Sequence, residues 1–205
     1  MIHLFEKGSN GNTIVLLHGT GGNEYDLLSV GRIIDQQANI LSIRGSILEY
    51  GMPRFYKRKS MVEFDYEDLI DKTHELREFI DDCARIYRFD RKRVSVVAYS
   101  NGANIAASII FHYEQAFSKA ILFHPMVPIR NIELAKQSQT RIFIGAGRFD
   151  QMMPEHEVEE LTQLFESTNA DVEVFWTDYG HQLSKEEVLA AKAWYEGKVL
   201  YDDDF

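Results

Sequence analysis

Six short runs, at 13–17 (TIVLL), 39–43 (NILSI), 94–98 (VSVVA), 119–123 (KAILF), 141–145 (RIFIG) and 172–176 (VEVFW), are apolar on both faces instead of alternating. Strands read this way when a parallel sheet is covered above and below. Helical patterns fall between them, at 24–37, 65–87, 101–115, 131–138, 155–168 and 184–197. Such alternation builds right-handed βαβ units, so the expected fold is a three-layer α/β sandwich around a mostly parallel sheet. Residues 2–5 add a candidate edge strand.

Two helices carry their own boundary signals. Leu69, Thr73, Leu76, Ile80 and Cys83 recur at three- and four-residue spacing and form one apolar stripe, which makes Cys83 a core residue rather than a reactive thiol. Ser184 followed by Glu187 has the spacing of a capping box and starts the last helix just after His181, leaving that histidine in a loop. Residues 44–64 form the longest stretch without a clear element, a length typical of lids and binding surfaces. No repeat or linker divides the 205 residues, so one domain is expected, closed by an acidic tail at 201–205.

A formal charge of -10 argues against nucleic acid and anionic membranes as partners, since both are gripped by clustered Lys and Arg. The one basic cluster, Arg54, Lys57, Arg58 and Lys59, is read as a solvated face. A single cysteine fits a reducing compartment, and neither a signal-peptide pattern nor a membrane-length apolar run is found, so a cytoplasmic location is expected.

The chemistry concentrates where strands end. After the run at 94–98 come Tyr99, Ser100, Asn101 and Gly102, then a helix. This is the pattern of a nucleophile elbow, in which a serine sits on a tight strand-to-helix turn flanked at two positions by small residues. Gly102 meets that demand, and Ala98 stands where glycine is usual. Small-x-Ser-x-Gly alone is a weak signal, equally readable as a helix N-cap.

A serine needs a base, and His181 follows the last strand at the same sheet edge. The other histidines fit less well: His3, His74 and His112 lie in an edge run or on helices, His156 starts a helix, and His124 follows a strand but precedes the acid. Asp150, after the run at 141–145, supplies the carboxylate that orients His181; Asp178 is its rival. The chain order Ser100, Asp150, His181 favours Asp150. The turn after the first core strand, His18-Gly19-Thr20-Gly21-Gly22, offers an oxyanion donor at the Thr20 N–H, with the Asn101 N–H as the second. Glu24 occupies the sixth position of a would-be dinucleotide loop, against a phosphate. His18 is read as shaping this turn through local hydrogen bonds. No metal-ligand spacing or dense His/Asp cluster is visible, and the chemistry calls for neither metal nor cofactor.

These residues resemble the phospholipase/carboxylesterase group of small α/β-hydrolases, which includes bacterial carboxylesterases and acyl-protein thioesterases. The resemblance runs over nearly the whole chain and rests on His18-Gly19, the elbow at Ser100, residues 147–154 (GRFDQMMP) and Gly180-His181. Arg44-Gly45, Glu49 and residues 51–55 (GMPRF) are similar to a subgroup associated with hydroquinone and catechol metabolism. It implies cleavage of carboxylic esters through an acyl-enzyme, with thioesterase and lysophospholipase activity as alternatives and a non-catalytic binding scaffold as another class. Only residues 124–130 separate a strand from the next helical pattern, so no large lid is expected and short or medium acyl esters should enter an open cleft. Gly21, Met52, Phe55, Met126, Met152 and Met153 are candidate walls, although each methionine taken singly reads more readily as core filler than as pocket. A small-molecule ester is the expected partner; a homodimer is compatible with the chain, which does not itself fix an oligomeric state.

Overall fold

The computed structural model describes residues 1–60 and 63–198; the acidic tail lies outside them. In chain order the elements are β1 (His3–Glu6), β2 (Thr13–Leu17), α1 (Leu28–Ile34), β3 (Asn39–Ile43), β4 (Ile47–Glu49), β5 (Met52–Arg54), α2 (Tyr66–Tyr87), β6 (Val94–Tyr99), α3 (Asn101–His112), β7 (Lys119–Phe123), β8 (Arg141–Gly147), α4 (Glu155–Ser167), β9 (Asp171–Thr177) and α5 (Lys185–Tyr195).

Seven strands form one sheet in the order β1-β3-β2-β6-β7-β8-β9. All pairings are parallel except β1 with β3. The doubly apolar runs are strands covered on both sides. Val15, Val96 and Leu122 pack into a core shared with Leu69, Leu76 and Ile80 of α2, Ile105 of α3 and Leu161 of α4. Ile14, Val97 and Ile121 face the other way, against Val30 and Ile34 of α1 and Val188 and Trp194 of α5. Cys83 is buried in the first core, where burial pushes its thiol up to about 11. The edge strands depart from the pattern: β1 is half-buried throughout, and β9 has Asp171 and Glu173 exposed with Val172, Val174, Phe175 and Trp176 half-buried.

Chain direction across the sheet reverses at β2: the strand after β2 lies on one side of it, and β6 is reached by crossing to the other. Ligands of open α/β sheets bind at the carboxyl ends of strands beside such a reversal. The turn at 18–22 and the elbow at Ser100 leave β2 and β6 there, side by side, since Leu17 pairs with Ala98.

Two expectations fail. Residues 131–138 form no helix, because their polar groups serve α3 instead: the Ala135 N–H donates to Phe111 O, and the buried Gln137 amide donates to Ile110 O and Tyr113 O. These are carbonyls of a helix end that needs outside donors. The stretch 44–64 contains a two-stranded hairpin, β4 with β5, turning at Tyr50 and Gly51, both at positive φ. No helix among the described residues is long and apolar enough to cross a membrane.

Candidate active site

Ser100 sits between β6 and α3 with φ 51° and ψ -114°, a conformation that L-residues rarely adopt. Ser100 occupies the N-cap position of α3, but its side chain makes no capping hydrogen bond, so capping is not what its hydroxyl does. The helix starts close against the neighbouring strand: a Cβ on Gly102 would lie 2.2 Å from Leu17 O, which is why this position accepts only glycine. Ala98 is fully buried within β6, where a methyl group is accommodated.

The Ser100 hydroxyl lies 2.8 Å from His181 Nε2, and His181 Nδ1 lies 2.7 Å from Asp150 Oδ2. Asp150 is buried; its second oxygen accepts the N–H groups of Met152 and Met153 at 2.9 and 3.0 Å. Burial opposes its charge, but hydrogen bonds from His124 and His181 outweigh this and hold the carboxyl well below the usual carboxylate range. Asp178, the rival, is exposed and faces Arg148 at 3.6 Å. The two loops meet closely, for a Cβ on Gly147 would fall 2.4 Å from Tyr179 O. Tyr99 fixes the other side of the histidine loop by donating its hydroxyl to the His181 carbonyl at 2.6 Å.

In the turn after β2, the Gly21 and Gly22 N–H groups bond Pro53 O and Gly19 O, leaving that of Thr20 without an acceptor among the described residues. The Asn101 N–H is the first of α3, where an N–H has no partner within the helix. Segment 44–56 braces both: the Arg54 guanidinium donates to Thr20 Oγ1 at 2.8 Å, and the Phe55 N–H donates to Asn101 Oδ1 at 2.8 Å. His18 ties in the same segment. Its Nδ1 lies 2.6 Å from Gly19 O, while Nε2 accepts the Gly45 N–H at 3.0 Å, which fixes the tautomer. Burial pushes its pKa below the ordinary value, so His18 is a neutral structural residue.

Arg54 and Arg58 are not the solvated face expected of them. Arg54 is buried, and both guanidinium groups converge on Glu49, at 3.2 and 2.7 Å. Two proposed cleft walls are also misplaced: Phe55, 2% exposed, packs on the His18 ring, and Met153 is 4% exposed. Both support the site through their backbone N–H groups, Phe55 to Asn101 Oδ1 and Met153 to Asp150 Oδ1. Met126 is half-buried, Met52 borders Gly21, and Met152 is exposed. A cleft of about 450 Å³ beside the Thr20 turn is lined by Thr20, Gly21, Asp26, Leu27, Tyr99 and Gln182. A larger concavity of about 1180 Å³, between α1, α5 and the amino ends of β6 and β7, contains none of these groups.

Folding also creates a cluster that the spacing of residues along the chain does not show. His124, Asp150 and His181, widely separated along the chain, bring their donor atoms within 4.8 Å of one another. His124 Nδ1 lies 2.9 Å from the same Asp150 oxygen that His181 contacts. Its ring is wholly buried, with Nε2 3.0 Å from Oε1 of the buried Glu187. The signal was present in the sequence: His124 directly follows a strand at the edge where Asp150 emerges from the adjacent one.

Residues 36–193 match the Dienelactone hydrolase family. The chain is 51% identical over 200 residues, covering 98% of it and all of its relative, to "Putative hydrolase MhqD" of Bacillus subtilis (strain 168). Its structure is similar to the Bacillus cereus carboxylesterase, with a TM-score of 0.94 at 50% identity over 95% of this chain and 93% of that one. It also resembles YahD, determined with malic acid, with a TM-score of 0.92 at 30% identity over 97% and 99% of the two chains. With its mostly parallel sheet, flanking helices and lack of a large lid, the protein is a small bacterial carboxylesterase-like α/β-hydrolase, and the chain belongs to the dienelactone hydrolase family.

Proposed function

We propose that this hydrolase is a serine carboxylesterase acting on short- to medium-chain esters through an acyl-enzyme. The observation that carries the reading is the continuous chain of hydrogen bonds from Ser100 Oγ through His181 to Asp150, at the end of the central strand. In this mechanism Ser100 attacks the ester carbonyl as His181 Nε2 takes its proton. Asp150 holds the histidine in the tautomer that leaves Nε2 free and balances the imidazolium that forms. The Thr20 and Asn101 N–H groups, unused by the fold and braced by Arg54 and Phe55, receive the negative charge on the former carbonyl oxygen. His181 then gives its proton to the leaving alkoxide, and a water activated by the same imidazole cleaves the acyl-enzyme.

The modest cleft of about 450 Å³ beside Thr20 favours small acyl groups. Turnover of p-nitrophenyl esters from acetate to palmitate tests the proposal. Highest kcat/KM is expected at the short end and none with Ser100→Ala; preference for palmitate, or undiminished turnover by the variant, overturns it.

A further inference from the structure

The serine–histidine–aspartate chain does not end at Asp150. Beyond it lie a wholly buried imidazole, His124, and a wholly buried carboxylate, Glu187, neither of which that mechanism uses. Building on the serine-esterase reading, we infer that both are positioning residues for the reaction. His124, held as an imidazolium between the two carboxylates, offsets the Asp150 charge that His181 faces. His181 thereby remains a neutral base in more acidic solution than Asp150 alone would permit.

Charge accounting favours the cation. The groups facing His124 are Asp150 from the loop after β8, Glu187 from α5, Tyr99 at the end of β6 with rings 5.9 Å apart, and His181 with rings 5.2 Å apart. Burial raises the Tyr99 hydroxyl above its ordinary value, so it brings no charge. Among the described residues, neither carboxylate forms an ion pair with lysine or arginine, and buried charges persist only when paired. With His124 charged, the three groups sum to one negative charge; with it neutral, two negative charges are enclosed. Burial alone disfavours the imidazolium, but the two carboxylates outweigh it and raise His124 to about 9.

The local geometry is built to bring the pair together. His124 adopts φ 51°, uncommon for a residue with a Cβ, and its N–H is anchored to Gly145 O at 2.8 Å. A Cβ at Gly145 would stand 3.0 Å from Glu187 Oε1, so glycine there leaves Glu187 room to reach His124. Glu187 Oε2 accepts the Ser184 N–H in the capping box, while Oε1 and His124 Nε2 have no hydrogen-bond partner and face each other as an ion pair. One glutamate thus connects Ser184 at the cap of α5, three residues beyond His181, to the far side of Asp150.

The test compares pH profiles of kcat/KM for the parent, His124→Asn and Glu187→Gln, using p-nitrophenyl acetate, with a 15N-histidine NMR titration of the parent. Removing the cation should move the acid limb up by about two pH units, the size of a unit-charge interaction across 5.2 Å at an effective dielectric constant of about 20. Removing the Glu187 charge should move it down by less, since glutamine preserves the capping spacing. A merely structural pair would not shift the limbs in opposite directions. In the parent, one of the seven imidazoles should stay doubly protonated at pH 8. Limbs that stay fixed or move together, or seven neutral imidazoles at pH 8, overturn the inference; the NMR result decides it if either variant fails to fold. A parent without Ser100-dependent turnover is a separate outcome, which refutes the serine-esterase reading itself.

Discussion

Replacing Asp150 by asparagine should disable the enzyme by a route the hydrogen bonds define. Asp150 Oδ2 faces His181 Nδ1 and His124 Nδ1 at 2.7 and 2.9 Å, and Oδ1 accepts two backbone N–H groups. An asparagine has one oxygen for these two sets of donors. Turned toward the imidazoles, it would oppose its NH2 to the N–H groups of Met152 and Met153. Turned toward the backbone, it presents NH2 to the rings, and His181 can relieve the conflict by moving its proton from Nδ1 to Nε2. The nitrogen beside Ser100 is then a donor and cannot take the hydroxyl proton. The same tautomer error in a serine protease costs about 10⁴ in kcat, or roughly 5 kcal/mol. Steady-state hydrolysis of p-nitrophenyl acetate near pH 8 measures this directly. Asp178→Asn, at an exposed carboxylate that faces Arg148 and makes no hydrogen bond to His181 among the described residues, should stay within about twofold of the parent. An Asp150→Asn enzyme within tenfold of the parent, or a larger loss in the Asp178 variant, would refute the assignment of the acid.

Two other predictions follow from the environment of the site. Arg54→Met should retain much of the packing but release Thr20 Oγ1 and leave Glu49 with Arg58 alone, so kcat should fall by about 10- to 100-fold, with KM less affected; equal rates for variant and parent would show that the brace is dispensable. Thermal stability should depend on pH through His124: its folded pKa, raised to about 9, contributes stability that is complete below about 6.5 and lost as pH rises through 9. Asp150, depressed, contributes stability above about 3.9 that is lost as pH falls further. Calorimetry should therefore show Tm declining from pH 6.5 to 9 in the parent and less so in His124→Asn; parallel slopes would contradict this.

The sheet was legible because a strand covered on both faces must be apolar throughout, and all six such runs are strands. Helix 131–138 was misread because periodicity cannot show that Ala135 and Gln137 give their donors to the end of α3. The hairpin β4–β5 was hidden because three-residue strands carry little pattern, and Arg54 looked solvated because its partners Glu49 and Thr20 meet it only in the fold. At the site, chain order and strand ends located Ser100, Asp150 and His181, whose side chains the fold brings into contact. His124 precedes the acid in sequence, which disfavours it as the base. Order along the chain ranks residues that fill one role; it is silent about a second histidine on the same carboxylate. Glu187 was legible only as half of a capping box, since one of its oxygens does serve that purpose.

Stoichiometric reaction with a fluorophosphonate and mapping of the modified peptide decide whether Ser100 is a nucleophile activated by His181. One adduct per chain is expected, on Ser100, formed rapidly by the parent and far more slowly by His181→Ala. A folded parent that takes up no label, or carries it on another residue, would contradict it.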